Sequence, residues 1–366
     1  MMRRRNSPTL IGGDVGVEIG MAKNDNSNLG RAKKQKKDEF YTRLEDIERE
    51  LAHYKQHFRD KTVLCNCDDP RISNFFHYFS YQFETLGLKR LITTCYKNQE
   101  RDLFSQNDSG RAIWLEYTGD KNGNRVPDPE EIGIRYLKGD GDFRSEECIE
   151  LLKQADVVVT NPPFSLFREY VAQLVKYDKK FLIIGNQNAI KYKEIFPLIQ
   201  ANKLWLGYGF GDMVFKVPAS YEERETRFWI DETGQKWRSL GNVCWFTNLP
   251  IPKQKDEMIL WKEYTPEEYP TYLNYDAIEV SKTSEIPKDY DGKMGVPITF
   301  LDKYNPEQFE IVGMSLELAE ARDKIRDWYL ARPEERQKRT GNDAFYIERD
   351  GKLLRLYDRI VIRRRK

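Results

Sequence analysis

Cysteine and histidine are scarce in this chain of 366 residues, and long apolar runs are missing altogether. The five cysteines, Cys65, Cys67, Cys95, Cys148 and Cys244, are an odd number in a chain far longer than the small secreted scaffolds that depend on disulfides. A disulfide framework is not expected, and a reducing cytoplasm is the natural setting. The only close cysteine pair is Cys65 and Cys67, and the histidines are His53, His57 and His77. A structural zinc site draws on two ligand pairs at fixed spacing, so no metal is expected. No stretch of about eighteen apolar residues is present to cross a bilayer, and MMRRRNSPTLIGGDVG holds too short an apolar stretch for a signal peptide. No membrane partner is expected.

What is present suits a soluble globular protein. Hydrophobic residues make up 39% and charged residues 33%, enough for one large or two modest domains with a sizeable core. The net charge of +1 hides an uneven distribution. Residues 1–37 carry nine basic and three acidic side chains, residues 331–366 carry twelve and six, and the body between them nets −11. Basic ends on an acidic body read either as solubilising tails or as arms that contact phosphates.

Residues 1–37 lack hydrophobic periodicity and end in the basic patch RAKKQKK, which predicts a disordered arm. From Asp38 onward, Leu44, Ile47, Leu51, Tyr54 and Phe58 recur at helical spacing. TVLCNC (62–67) reads as a buried strand, ISNFFHYFSYQFETLG as a helix ending at Gly87, and KRLITTCY as a second strand. After a polar stretch from Lys97 to Pro129, expected to be a surface insertion, the alternation resumes: IRYLKGDGDF with a short strand, SEECIELLKQA as helix, DVVVTN as strand, SLFREYVAQLVKY as helix, KKFLIIGN as strand. Such strand-helix units predict an α/β fold with a parallel sheet covered on both faces. KLWLGYGF (203–210), DMVFKVP (212–218) and VCWFTNLP (243–250) read as three strands forming an antiparallel edge. Beyond Pro252 the pattern is irregular and aromatic, and AFYIERDGKLLRLYDRIVIRRRK places two alternating runs around Asp350-Gly351, a hairpin signal.

The most informative stretch is VVVTNPPFSL (157–166), where two prolines follow an apolar strand. Prolines end the hydrogen-bond ladder and fix their own backbone, and in a doubly wound sheet ligands sit at that carboxyl end. Asn161 adds a side-chain carbonyl, and Phe164 a flat apolar face just beyond Pro162 and Pro163. Together they suit an exocyclic amino group on a stacked ring, against the plainer reading of a proline turn with a packed Phe.

Asn161-Pro162-Pro163-Phe164 resembles the signature of amino-methyltransferases that use S-adenosyl-L-methionine, especially those acting on adenine N6 in DNA. KKDEFYTRLEDIE, VLCNCDDPRISNFF, GDGDFRSEE, DVVVTNPPFSLFREY, KYDKKFLIIGN and MGVPITFLDKYNPEQFE then resemble, in order from Lys36 to about Val312, segments of the EcoRI modification methylase family. The resemblance implies a Rossmann-like methyltransferase sheet in residues 38–252. It also implies a smaller, irregular target-recognition region with a basic C-terminal hairpin in 253–366. Catalytic roles would fall to Asn161, Pro162, Pro163 and Phe164. Phe40, Tyr41 and Thr42 would meet the cofactor's methionine end, Asp68 its amino group, and Asp142 and Phe143 its adenine. The plainer readings are a hydrophobic anchor for Phe40 and Tyr41 and a solvated turn for Asp142.

The glycine-rich turn usual after the first strand of such enzymes is missing here. Double-stranded DNA is the implied partner, for a monomeric cytoplasmic enzyme of bacterial or phage origin, with a separate restriction endonuclease for the same site as its companion. Methyltransferases of RNA or of protein glutamine, and a catalytically impaired DNA-binding relative, are the competing classes. The functional chain is expected to begin near Met21.

Overall fold

The computed structural model describes residues 40–67, 73–95, 112–124, 127–128, 131–219, 221–318, 330–331 and 344–365, all within one unit, Asp38–Lys366. The N-terminal arm (1–37) and Asp68 lie outside the described residues.

Along the central strands the side chains alternate between two apolar layers, as a period of two requires for a sheet buried on both faces. In β2 (Thr62–Asn66), Val63 and Cys65 join one cluster and Leu64 the other. β6 (Val157–Thr160) divides Val157 and Val159 from Val158, and β7 (Lys180–Asn186) divides Leu182 and Ile184 from Phe181 and Ile183. One layer receives helix α1 (Leu44–Leu51) through Ile47 and Leu51, and helix α2 (Asn74–Tyr81) through Phe75, Phe76 and Phe79. The short helix α3 (Phe83–Leu86) follows, and Gly87 closes it in the left-handed conformation, φ 63°, as a glycine after a helix does. The opposite layer receives helices α4 (Glu146–Gln154) and α5 (Phe167–Lys176).

The parallel centre runs β7-β6-β2-β3, with β3 at Arg90–Thr94. Both flanks are antiparallel. On one side β3 pairs with β4 (Ile113–Tyr117), and β4 with the exposed β5 (Gly133–Tyr136). On the other, β7 pairs with β10 (Lys236–Thr247), β10 with β8 (Trp205–Lys216) and with the short β9 (Phe228–Ile230), and β8 with β1 (Tyr41–Thr42). The sequence predicts an antiparallel edge on one side only. β4 lies inside the supposed polar insertion, with Ile113, Leu115 and Tyr117 buried. The two strands expected at 203–210 and 212–218 are one. The ladder is irregular between Leu240 and Val243, and Gly211 adopts φ 117°, so the strand bends at a bulge without breaking.

A second sheet, in the order β11 (Ile278–Glu279), β12 (Met294–Pro297), β16 (Arg359–Arg364) and β13 (Phe309–Met314), carries most of the C-terminal region. Its Ile360, Ile362, Met294 and Phe309 belong to the same hydrophobic cluster as Leu64 and Val158. The hairpin expected around Asp350-Gly351 is β14 (Tyr346–Arg349) with β15 (Lys352–Arg355). Both turn residues have positive φ, 54° and 71°, which is why an Asp-Gly pair sits there.

Candidate active site at the carboxyl ends of the parallel strands

Asn161 follows the last residue of β6 and is 6% exposed. Its side-chain amide donates to the backbone carbonyl of Phe40 at 2.6 Å and to Thr42 Oγ1 at 3.3 Å. Its Oδ1 is buried and has no hydrogen-bond partner. Leaving a buried amide oxygen unpaired costs about 1–3 kcal/mol, so the site holds an acceptor whose donor comes from elsewhere.

The backbone beyond it is set by the prolines. Pro163 closes a 3-10 turn by accepting from the Leu166 amide at 3.0 Å, so of the two proline carbonyls this one belongs to the turn. Phe164 is half-buried, its ring centroid 5.6 Å from that of Phe40 at a 30° tilt. Phe40 in turn lies 5.4 Å from Phe215. The Phe40 ring is therefore a hydrophobic anchor while its carbonyl serves Asn161. Tyr41 and Thr42 form β1 against Lys216 and Phe215, and Asn74 at the start of α2 donates to the Thr42 carbonyl at 2.7 Å.

A second chain of contacts leads across the strand ends. Thr160 donates through its hydroxyl to the carbonyl of Asn66, the last residue of β2, and Tyr170 of α5 donates to Asn66 Oδ1. Tyr170 is fully buried, which pushes its hydroxyl well above the usual phenol value and keeps it a donor. Phe143 packs edge-on against Tyr170, ring centroids 5.0 Å apart, and its carbonyl accepts from Gln173 at 3.0 Å. The turn before it is fixed by Gly141, with φ 79°, where a Cβ would run into the Cys95 carbonyl at the end of β3. The ends of β2, β3 and β6 are thus tied to the loop that carries Asp142 and Phe143.

After β2 the chain turns at Cys67 with φ 82°, a conformation glycine favours. The turn is made by a cysteine where the usual glycine is missing. Asp142 accepts from the Arg144 amide at 2.8 Å and from its guanidinium at 2.9 and 2.6 Å, and Arg144 also reaches Glu169 at 2.7 Å. Burial alone would raise the Asp142 carboxyl, but these bonds to Arg144 outweigh it and hold the group below the usual carboxylate range. An ionised carboxylate is thereby kept beside the strand ends.

The structure brings Phe40, Thr42 and Asn161 into direct contact and places Asp142 and Phe143 across Tyr170 and Asn66 from them. Asn66, Asn74 and Tyr170 escape sequence reasoning. A polar residue closing the apolar strand TVLCN is the one signal that points to Asn66. Among the described residues, no group of three or more His, Cys, Asp and Glu side chains is placed to hold a metal. Among them also, no helix is long and apolar enough to cross a membrane.

The chain matches the family described as adenine-specific methyltransferase EcoRI over residues 28–365. It is 52% identical over 297 residues to the type II methyltransferase M.EcoRI of Escherichia coli, covering 80% of this chain and 90% of that protein. The type II methyltransferase M.MgeORF184P of Mycoplasma genitalium is 40% identical over 290 residues, 78% of this chain and 85% of its own. M.MpnI of Mycoplasma pneumoniae is likewise 40% identical, over 78% of this chain and 84% of its own. No solved structure matches the chain.

Proposed function

Since the chain belongs to the EcoRI adenine-specific methyltransferase family, we propose that it methylates N6 of an adenine turned out of double-stranded DNA at a specific site, using S-adenosyl-L-methionine. The observation that carries this reading is the buried, unpartnered Oδ1 of Asn161. An exocyclic amino group has two hydrogens to give. Asn161 Oδ1 takes one and the Pro162 carbonyl the other. Held this way, the nitrogen lone pair turns out of conjugation with the ring, the positive charge that grows on nitrogen is stabilised by the same two oxygens, and the methylated nitrogen then releases one of its two protons to solvent to give the neutral product. Phe164 offers a face on which the flipped base stacks in place of the neighbours it left.

The cofactor, when bound, supplies a methyl group on a sulfonium, an electrophile that requires no metal. The donor set suits it: the ionised Asp142 can accept from the adenine amino group, Phe143 borders that position, and the segment Phe40 to Thr42 lies beside Asn161. Asp68 is proposed as a further acceptor for the cofactor's charged amino group. Residues 253–366 are assigned to target recognition, including the hairpin with Arg349, Lys352 and Arg355. The enzyme is read as a cytoplasmic monomer that works alongside a restriction endonuclease of the same specificity.

Methyl transfer is measured on duplex DNA, RNA and a glutamine-containing protein, with modified adenine then located in the DNA. Transfer to duplex DNA alone is expected, and transfer to either other substrate in its place overturns the reading. Asn161→Ala is expected to reduce transfer by about a thousandfold, as the loss of an essential acceptor does, with cofactor affinity retained. Loss of cofactor binding in proportion to rate would make Asn161 structural.

A further inference from the structure

Asn161 has one amide group and two ends. The nitrogen end is held by the Phe40 carbonyl at 2.6 Å and by Thr42 Oγ1 at 3.3 Å, which leaves the oxygen end as the free acceptor. An unrestrained amide can rotate by half a turn and present nitrogen where oxygen stood. A target amino group would then meet a donor and be repelled. Both groups that prevent this rotation accept hydrogen bonds, and both lie on one short segment. That segment is held by the ladder of β1 to Lys216 and Phe215 and by Asn74, whose side chain donates to the Thr42 carbonyl at 2.7 Å. Thr42 is 2% exposed and Asn161 6%, so both contacts are shielded from bulk solvent.

Resting on the methyl-transfer reading above, we infer that Thr42 and Asn74 are positioning residues for the reaction, fixing the rotamer of Asn161 so that Oδ1 faces the target amine. Thr42 acts through its hydroxyl on the amide nitrogen. Asn74 acts one step further out, by holding the strand that carries both acceptors. This role of Thr42 lies in the alignment of the target base, through one lone pair of a hydroxyl that keeps its proton to donate.

The test compares Thr42→Val, which keeps shape and loses the acceptor, with Thr42→Ser, which keeps the hydroxyl. Single-turnover methyl transfer, cofactor dissociation constant and DNA dissociation constant are measured for each. Thr42→Val is expected to slow transfer on the order of tenfold, the loss of about one hydrogen bond, with DNA affinity unchanged and cofactor affinity falling by much less than the rate. Thr42→Ser is expected to restore the rate. Asn74→Asp, which cannot donate, provides an independent variant and is expected to slow transfer with the same pattern. If Thr42→Val transfers at the parent rate, or loses cofactor affinity as much as rate, the positioning role is wrong. If the parent protein itself transfers no methyl group to duplex DNA, it is the methyl-transfer reading that fails.

Discussion

At Asp142 burial and charge pull in opposite directions, and Arg144 decides the outcome. If the carboxylate accepts from the amino group of the cofactor's adenine, binding requires it ionised, so affinity is present above its pKa and lost as pH falls through it. With Arg144 in place that loss comes below the ordinary value of 3.8. Arg144→Met removes the guanidinium bonds and their charge and leaves the backbone amide bond together with burial, which raises the pKa, so the loss of affinity is expected at higher pH than in the parent. Calorimetric titration with S-adenosylhomocysteine across mildly acidic pH checks this, and coincident profiles would dissociate Asp142 from cofactor binding. At this scale the sequence was most readable where it is most constrained: prolines, an asparagine and an aromatic in a row leave few conformations. Asn66 and Tyr170 were not readable, because an ordinary strand asparagine and an ordinary helix tyrosine acquire meaning only from each other, 104 residues apart.

Among the elements, β16 departs furthest from its sequence. Its basic ending reads as a solubilising tail or an arm for phosphates, yet Arg363 pairs with Glu310 at 2.7 Å, Arg364 donates to the Lys288 carbonyl, and Arg365 donates to the Pro306 carbonyl at 2.8 Å. These arginines close the end of a strand lying between two others. Replacing all three with methionine is therefore expected to lower the melting temperature by about 2–5 °C. The slope of log DNA affinity against log salt should change by less than the roughly 0.9 that one phosphate contact contributes. A slope that falls by two or three contacts would return these residues to the DNA interface. β4 and β8 depart from their local pattern for a related reason. Ile113, Leu115 and Tyr117 alternate correctly but sit in polar surroundings, and Gly207, Gly209 and Gly211 interrupt a strand that the β10 ladder nonetheless carries through. Pairing partners distant in the chain supplied what local pattern lacked.

For the molecule as a whole, the change of pattern at Pro252 is visible in the sequence, but the hydrophobic layer continues across it. Leu64 and Val158 of the first sheet share a cluster with Ile360 and Ile362 of the second. Cutting the chain at residue 252 would expose one side of that layer, so residues 38–252 alone are expected not to form a cooperatively folded unit. Near-ultraviolet circular dichroism and binding of a hydrophobic dye report on this: the fragment should lose tertiary signal and bind dye where residues 38–366 do not. A fragment with native tertiary signal and a sharp melting transition would make the first sheet an independent domain.

The position of β16 between β12 and β13 also fixes an order in time. A ribosome adds about 5–20 residues per second, so roughly 300 residues after Leu64 emerges, some 15–60 s pass before Ile362 follows. Through that interval the slot for the last strand stands open, and the apolar layer beneath the parallel strands has no finished cover. Holding factors that shield nascent chains would have their longest engagement with this protein there. The second sheet cannot close before β16 is translated, about two hundred residues downstream of Asn161.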